Sequence, residues 1–248
     1  MKALFMCVDA QNDFIMKDGS LSIEGAEEIL PSLKRLTDLA VERDITVINT
    51  ADCHNESDEE LSDNPDFTDT FPNHCIKNTN GAQFVDEVKQ FYSLGIPFNM
   101  TEKAFESYKN VIEYANEIVL TKKHFDISTN SYAEQVLEII NPDVVFVYGV
   151  AANVCVDFAV KFLLKLGYKV HVVVDAVKEI SWISMDDMVK NWVESGVDYA
   201  SAFDYSSRSS CMGSDYPLTV GNAMFNVMPK DRTQLKTVDN ILDNMEKE

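Results

Sequence analysis

Positive charge is scarce in this 248-residue chain, where 21 Lys and Arg stand against 41 Asp and Glu for a formal net charge of −20. A surface that acidic repels phosphate backbones and anionic headgroups, so neither nucleic acid nor a membrane surface is expected as a partner. No apolar run approaches the roughly 18 residues that a membrane helix needs. The N-terminal stretch meets an acid at Asp9, too early for the apolar region of a signal peptide. Cysteine pairs at CxxC spacing are missing. The five cysteines, Cys7, Cys53, Cys75, Cys155 and Cys211, are odd in number and irregularly spaced, which argues against a disulfide framework. These absences together lead us to expect a reduced, cytoplasmic protein. Internal repeats and low-complexity segments are absent too, and histidine is rare, with four in the chain.

What is present is ordinary for a globular protein: 46% hydrophobic and 25% charged residues. Short apolar runs alternate with amphipathic stretches. Strands are expected at 3–8, 45–48, 118–120, 144–150, 170–174 and 197–202. Helices are expected at 27–42, 83–93, 104–115, from a Ser131-x-x-Glu134 capping box to Ile140, from about Cys155 to Gly167, from a Ser184-x-x-Asp187 cap to Gly196, and at 235–247. Strands alternating with helices imply a parallel sheet covered on both faces, with chemistry at the carboxyl ends of the strands. Residues 1–202 read as one α/β domain, and 203–248 as a C-terminal extension packed on it or trailing from it.

Asp9, Asp52, Lys122 and Cys155 all fall at the ends of expected strands. Cys155 opens a helix, and helix N-termini present free N–H groups and partial positive charge that stabilise a thiolate. Asp9 could act as its base if its pKa is raised, and Lys122 could hold the anions. Backbone N–H groups before Cys155 could form an oxyanion hole. Each residue also has a plain alternative: a buried structural thiol, a turn-capping acid and a solvated amine.

Residues 51–82 match neither helix nor strand. They carry eight acids and no base before Lys77, with Pro65 and Pro72. Loops this long are usually functional or disordered. Asp52-x-His54 places two ligand-capable side chains on one side of an extended chain, and His74 follows 20 residues after His54. A carboxylate with two imidazoles suits Zn²⁺, Mn²⁺ or Fe²⁺.

Five segments then bear a family resemblance: Val8-Asp9-Ala10-Gln11-Asn12-Asp13-Phe14; Asp52-x-His54; Phe71-Pro72-Asn73-His74-Cys75 with Gly81-Ala82; Lys122-x-x-Phe125; and Gly149-Val150-Ala151-Ala152-Asn153-Val154-Cys155-Val156. In this order they resemble the isochorismatase-like cysteine hydrolases, in their nicotinamidase/pyrazinamidase branch, over roughly residues 1–202. The resemblance implies a three-layer α/β/α fold with a mostly parallel six-stranded sheet. It implies a catalytic triad of Asp9, Lys122 and Cys155, and a cis peptide between Val150 and Ala151. The backbone N–H groups of Ala151 and Cys155 would be the oxyanion donors, and Phe14 and Phe71 would line the substrate pocket. It further implies one divalent metal ion, zinc before manganese or iron, on Asp52, His54 and His74. The further ligand of the family pattern falls on Glu60, with Asp58, Glu59 or water as substitutes. Lys122 is chosen over Lys123 by its spacing to Phe125.

The expected activity is hydrolysis of a small amide, nicotinamide first, through a thioester on Cys155. Another amide or carbamoyl substrate and a non-catalytic binding protein on the same scaffold are the alternatives. An isochorismate-type vinyl-ether hydrolase fits less well, because those members do not use the cysteine. A homo-oligomer is left open. Two departures from the family stand out: residues 94–116 look long, and 203–248 has no obvious counterpart.

Overall fold

Seven runs of largely β-branched and apolar residues build one parallel sheet. They are β1 (Ala3–Val8), β2 (Val47–Asp52), β3 (Leu94–Ile96), β4 (Glu117–Lys122), β5 (Val144–Val150), β6 (Lys169–Lys178) and β7 (Asp198–Ala200), in the order β3-β4-β2-β1-β5-β6-β7. The computed structural model describes residues 1–89, 92–183, 186–204 and 235–247. β5 is buried along its whole length. Its Val and Phe side chains each contribute about 1.5–3 kcal/mol of burial before chain entropy is set against them.

The helices are α1 (Asn12–Ile15), α2 (Leu30–Glu42), α3 (Glu102–Ile112), α4 (Ala133–Ile140), α5 (Asp157–Lys165), α6 (Asp186–Glu194) and α7 (Val238–Met245). The chain steps one way from β1 to β2 and on to β3, then the other way at every later crossover. Right-handed connections therefore put α2 on one face of the sheet and α3, α4, α5 and α6 on the other. Contacts agree. Trp192 on α6 donates its indole N–H to Asp157 at the start of α5, at 2.8 Å. On the opposite face, Arg35 of α2 and Arg43 at its C-terminal cap pair with Asp239 and Asp243 of α7 and with Glu246 at its C-terminal cap. The end of the chain is thus tied to the sheet's α2 face, and Ser201 forms a bridge with Thr237.

The expected six-stranded sheet has seven strands. β3 is only three residues long, and its Leu-Gly-Ile run beside Pro97 carries too little periodicity to announce itself. It pairs with β4 at the edge and takes up part of the long 94–116 segment, which otherwise holds α3 capped by Thr101. The helix expected over 83–93 is reduced, among the described residues, to a 3₁₀ turn at Asp86–Val88. Phe84 bridges to Gln11 and Val85 donates to the Ala10 carbonyl, so this stretch is extended against the end of β1. β6 runs through Asp175 instead of ending there. The Asp175 carboxylate accepts the N–H groups of Ala202 and Phe203, anchoring the chain after β7. Ser131 does not cap α4; the side chain of Asn130 accepts the Tyr132 N–H at 3.0 Å and donates to the carbonyls of Ile96 and Thr121. The Ser184 cap and Cys211 lie outside the described residues.

Candidate active site

β1 lies between β2 and β5, where successive connections depart in opposite directions. A crevice opens there beyond the carboxyl ends of the strands. Asp9 immediately follows β1, Asp52 ends β2 and Lys122 ends β4, and the last two are register partners. β5 leads through the cis Val150–Ala151 peptide into a π-helical turn, Ala152–Val156, which carries Cys155 and continues as α5. Gly149 has φ +112°, and a Cβ there would meet the Val8 carbonyl oxygen at 2.1 Å. Only glycine lets β5 pass β1 this closely, and this brings the Cys155 turn beside Asp9.

Lys122 is the hub. Its Nζ lies 2.8 Å from Asp9 Oδ2, 2.5 Å from Asp52 Oδ1 and 3.8 Å from Cys155 Sγ. Lys123 alternates outward, pairing with Asp58 and lying over the Phe98 ring. This separates the two lysines: Lys122 faces Asp9 and Cys155, and Lys123 faces Asp58. Asp9 adopts φ +48° and is fully buried; Thr50 donates its hydroxyl to Asp9 Oδ1 at 2.6 Å.

Burial raises the Asp9 carboxyl above the usual range, against the opposing pull of Lys122. Burial alone would lower Lys122, but the Asp52 and Asp9 carboxylates hold it well above an ordinary lysine. Burial likewise pushes the Cys155 thiol well up; Lys122 opposes this, while Asp9 and Asp52 add to it. The sequence alone suggested a thiolate stabilised by a helix N-terminus. The folded site instead favours a neutral thiol beside a carboxylate suited to take its proton. Desolvation and two acids outweigh the partial charge of the turn.

Next to the hub, ligand atoms of Asp52, His54 and His74 lie within 4.8 Å of one another, and all three residues are buried. His74 Nδ1 is 2.8 Å from the Pro72 carbonyl, which fixes the proton there and leaves Nε2 free, 3.8 Å from Asp52 Oδ2. His54 is fully buried, yet neither ring nitrogen has a hydrogen-bond partner; its Nδ1 stands 3.5 Å from the Asp58 carboxylate. Burial lowers His54 to about 4, keeping it a neutral donor. Such an orphaned imidazole beside a carboxylate and a second imidazole fits a divalent cation. Glu60 is buried in the same cavity wall but outside this trio, its Oε2 3.1 Å from Nδ1 of the exposed His124.

Asp9 and Cys155 beside the hub, with Asp52 and His74 of the trio, line one cavity of about 700 Å³. Phe14 and Phe71 line it with ring centroids 5.4 and 6.4 Å from His74, and Ala151 borders it beside Cys155.

Four supporting residues had no role in the sequence reading. Thr50 holds Asp9. Gln11 accepts the Asp52 N–H at 2.8 Å and donates to the Asp52 and Ala82 carbonyls, locking the end of β2 to the loop. Asp13 accepts the N–H groups of Cys75 and Ser20, in a space that any side chain at Gly81 would fill. Asn153 binds the backbone of Ile180 and Ile183. The available signal was a polar residue at or just beyond the end of a buried strand, where an unpaired polar group is costly.

An isochorismatase domain model matches residues 2–94 and 97–199. The nicotinamidase of Saccharomyces cerevisiae is 30% identical over 203 residues, covering 73% of this chain and 89% of its own. Among solved structures, the nicotinamidase/pyrazinamidase of Bacillus subtilis superposes with a TM-score of 0.62 at 20% identity, over 81% of this chain and 100% of its own. The pyrazinamidase of Pyrococcus horikoshii, solved in complex with zinc, gives 0.63 at 21% identity over 81% and 99%. No helix among the described residues is long and apolar enough to cross a membrane. With the matched domain spanning most of the sheet and every strand end that carries the site, the chain belongs to the isochorismatase family, among its nicotinamidase/pyrazinamidase relatives.

Proposed function

We propose that the protein is a metal-dependent cysteine amidase that converts nicotinamide and water to nicotinate and ammonia. The observation that carries this reading is the contact of one buried lysine with Asp9 at 2.8 Å and with the Cys155 sulfur at 3.8 Å, beside the Asp52–His54–His74 trio. Asp9 takes the Cys155 proton as the sulfur attacks the amide carbonyl. The N–H groups of Ala151 and Cys155 receive the oxyanion; loss of one such donor typically costs about 10²–10³ in rate. Protonated Asp9 passes its proton to the departing nitrogen, and the C–N bond breaks to leave a thioester on Cys155. Asp9 then deprotonates a water that attacks the thioester, releasing nicotinate and restoring the thiol. Lys122 stays protonated throughout and offsets the charge that moves between Asp9 and sulfur.

Asp52, His54 and His74 would hold the divalent ion, zinc by donor chemistry, with Glu60 joining if it leaves His124. When bound, the metal supplies a Lewis-acid contact to the pyridine nitrogen or to a water touching it, which orients the ring. Phe14 and Phe71 flank that ring. Ammonia release from nicotinamide by zinc-loaded protein, by Cys155→Ala and by chelator-treated protein tests the reading. Release that needs both the cysteine and the metal supports it. No release from zinc-loaded wild type overturns the substrate and leaves the fold and family intact.

A further inference from the structure

Nicotinamide is a single ring, and the cavity continues well beyond the Phe14–Phe71 slot. Aromatic rings step outward from the metal trio. The Phe71 centroid lies 6.4 Å from His74, Phe67 lies 6.3 Å from Phe71, and Trp182 lies 6.3 Å from Phe67, edge to face. Phe67 is 46% exposed and Trp182 58% exposed, although both line the cavity. Two large apolar side chains left open at a cavity mouth mark a surface that a ligand covers.

Both are held in place. Phe67 has φ +57°, uncommon for a bulky residue. The turn around it is fixed by Asp66, whose Oδ1 accepts the N–H groups of Thr68, Asp69 and Thr70, each at 2.9 Å, while Phe67 N–H donates to the Thr70 carbonyl. Trp182 sits in a loop clamped by Asn153, two residues before the nucleophile. Asn153 donates to the carbonyls of Ile180 at 2.9 Å and Ile183 at 2.7 Å, and accepts the Ile180 N–H at 2.9 Å. The outer compartment is therefore preorganised, and preorganised aromatic walls bind without ordering cost. Charge narrows its occupant. No Lys or Arg is among the described residues that line the cavity, whereas Glu24 is at the rim and Asp9, Asp52 and Glu60 lie deeper.

We infer that the preferred substrates are larger than nicotinamide: heteroaromatic primary amides carrying an apolar or aromatic, non-anionic substituent that lies against the wall formed by Phe67 and Trp182. This rests on the amidase reading above and adds the substrate class. Asp66 is a positioning residue here, acting through Phe67.

The test compares nicotinamide with nicotinamides bearing a phenyl group at each free ring carbon in turn, and with their carboxyphenyl counterparts. Turnover is measured on zinc-loaded wild type and binding by calorimetry on zinc-loaded Cys155→Ala. Burial of the added ring should raise kcat/KM and affinity for at least one phenyl compound about tenfold over nicotinamide, and the carboxyphenyl form should lose that gain. Phe67→Ala, Trp182→Ala and Asp66→Ala should each lower the ratio of phenyl compound to nicotinamide, because the extension alone touches this wall. If nicotinamide is hydrolysed while every phenyl compound is poorer, the inference fails and the amidase reading stands. If nothing is hydrolysed but the phenyl compounds still bind more tightly and the ratio falls in Asp66→Ala, the amidase reading fails and the outer compartment stands. Binding no tighter than nicotinamide overturns the inference in either case.

Discussion

Thr50→Val removes one hydroxyl beside the candidate base and nearly preserves shape. In the wild type that hydroxyl donates to Asp9 Oδ1 at 2.6 Å, in a fully buried setting. The Asp9 N–H also reaches the Thr50 carbonyl at 3.2 Å, so valine leaves the backbone contact in place. A hydrogen bond to a charged group contributes about 1.5–3 kcal/mol, and one between neutral groups about 0.5–1.5. Only their difference, about 1–1.5 kcal/mol, moves the titration, and that corresponds to about one pKa unit. The direction is upward, because the lost donor favoured the carboxylate. Free Asp9 must be ionised to take the thiol proton, so the acid limb of kcat/KM for nicotinamide should move to higher pH by about one unit.

Stability supplies an independent check of the same contact. Asp9 is raised in the folded protein by burial, so its contribution to stability is full below the unfolded carboxylate value and is lost as pH rises through the folded value. Thr50→Val raises the folded value further and enlarges that loss. Denaturation in chelator should therefore show a penalty about 1–1.5 kcal/mol greater at pH 8 than below the unfolded carboxylate pKa. An acid limb that stays put or moves down, with a penalty equal at both pH values, refutes the assignment of Asp9 as a buried base held by Thr50.

Lys122→Met leaves two buried carboxylates without their cation; urea denaturation should show a loss of about 3–5 kcal/mol, and a loss under about 1 kcal/mol would contradict the hub. His54→Ala should weaken zinc binding by more than the about 10–100-fold typical of an outer-shell change, read by calorimetry; unchanged affinity removes His54 from the trio. Alkylation of Cys155 by iodoacetamide should be slow near neutral pH and speed up as pH rises, because the thiol is raised by burial and flanking acids; fast, pH-independent labelling would mean a standing thiolate. Gly149→Ala should cost about 2 kcal/mol or more in thermal or chemical unfolding, from the left-handed backbone and the clash with Val8.

The parallel sheet was legible because its strands are apolar runs that end in charged residues. That boundary both stops a strand and supplies the chemistry, so Asp9, Asp52 and Lys122 could be placed before any coordinates. β3 was not legible, since three edge residues with a central Gly95 are too few to show a period, although Ile96 is buried, and they depend on pairing with β4. The 83–93 stretch misled because Val85 and Val88 are spaced like a helical face, whereas the pairing of Phe84 with Gln11 holds the chain extended. The capping box at Ser131 failed because Asn130, one residue earlier, supplies a competing side-chain acceptor and also ties β3 to β4.

The ionisation state of the site was the hardest property to read, because it depends on what surrounds each charge and not on any one residue. Cys155 at a helix start points to a thiolate when taken alone. In the fold it shares one lysine with Asp9 and Asp52, so a single cation faces two carboxylates and a thiol that would add a third negative charge. One proton must therefore remain among the three acidic groups. Asp52 is pulled down by Lys122 and the two histidines, despite a burial penalty that works the other way, and so gives its proton up first. The shared proton is left between Asp9 and Cys155, the two groups between which the proposed reaction must pass it. A site built this way needs no preformed thiolate. In the proposed reaction the proton leaves the sulfur only as the carbonyl arrives to take the electrons, and Asp9 then holds it when the leaving nitrogen requires it.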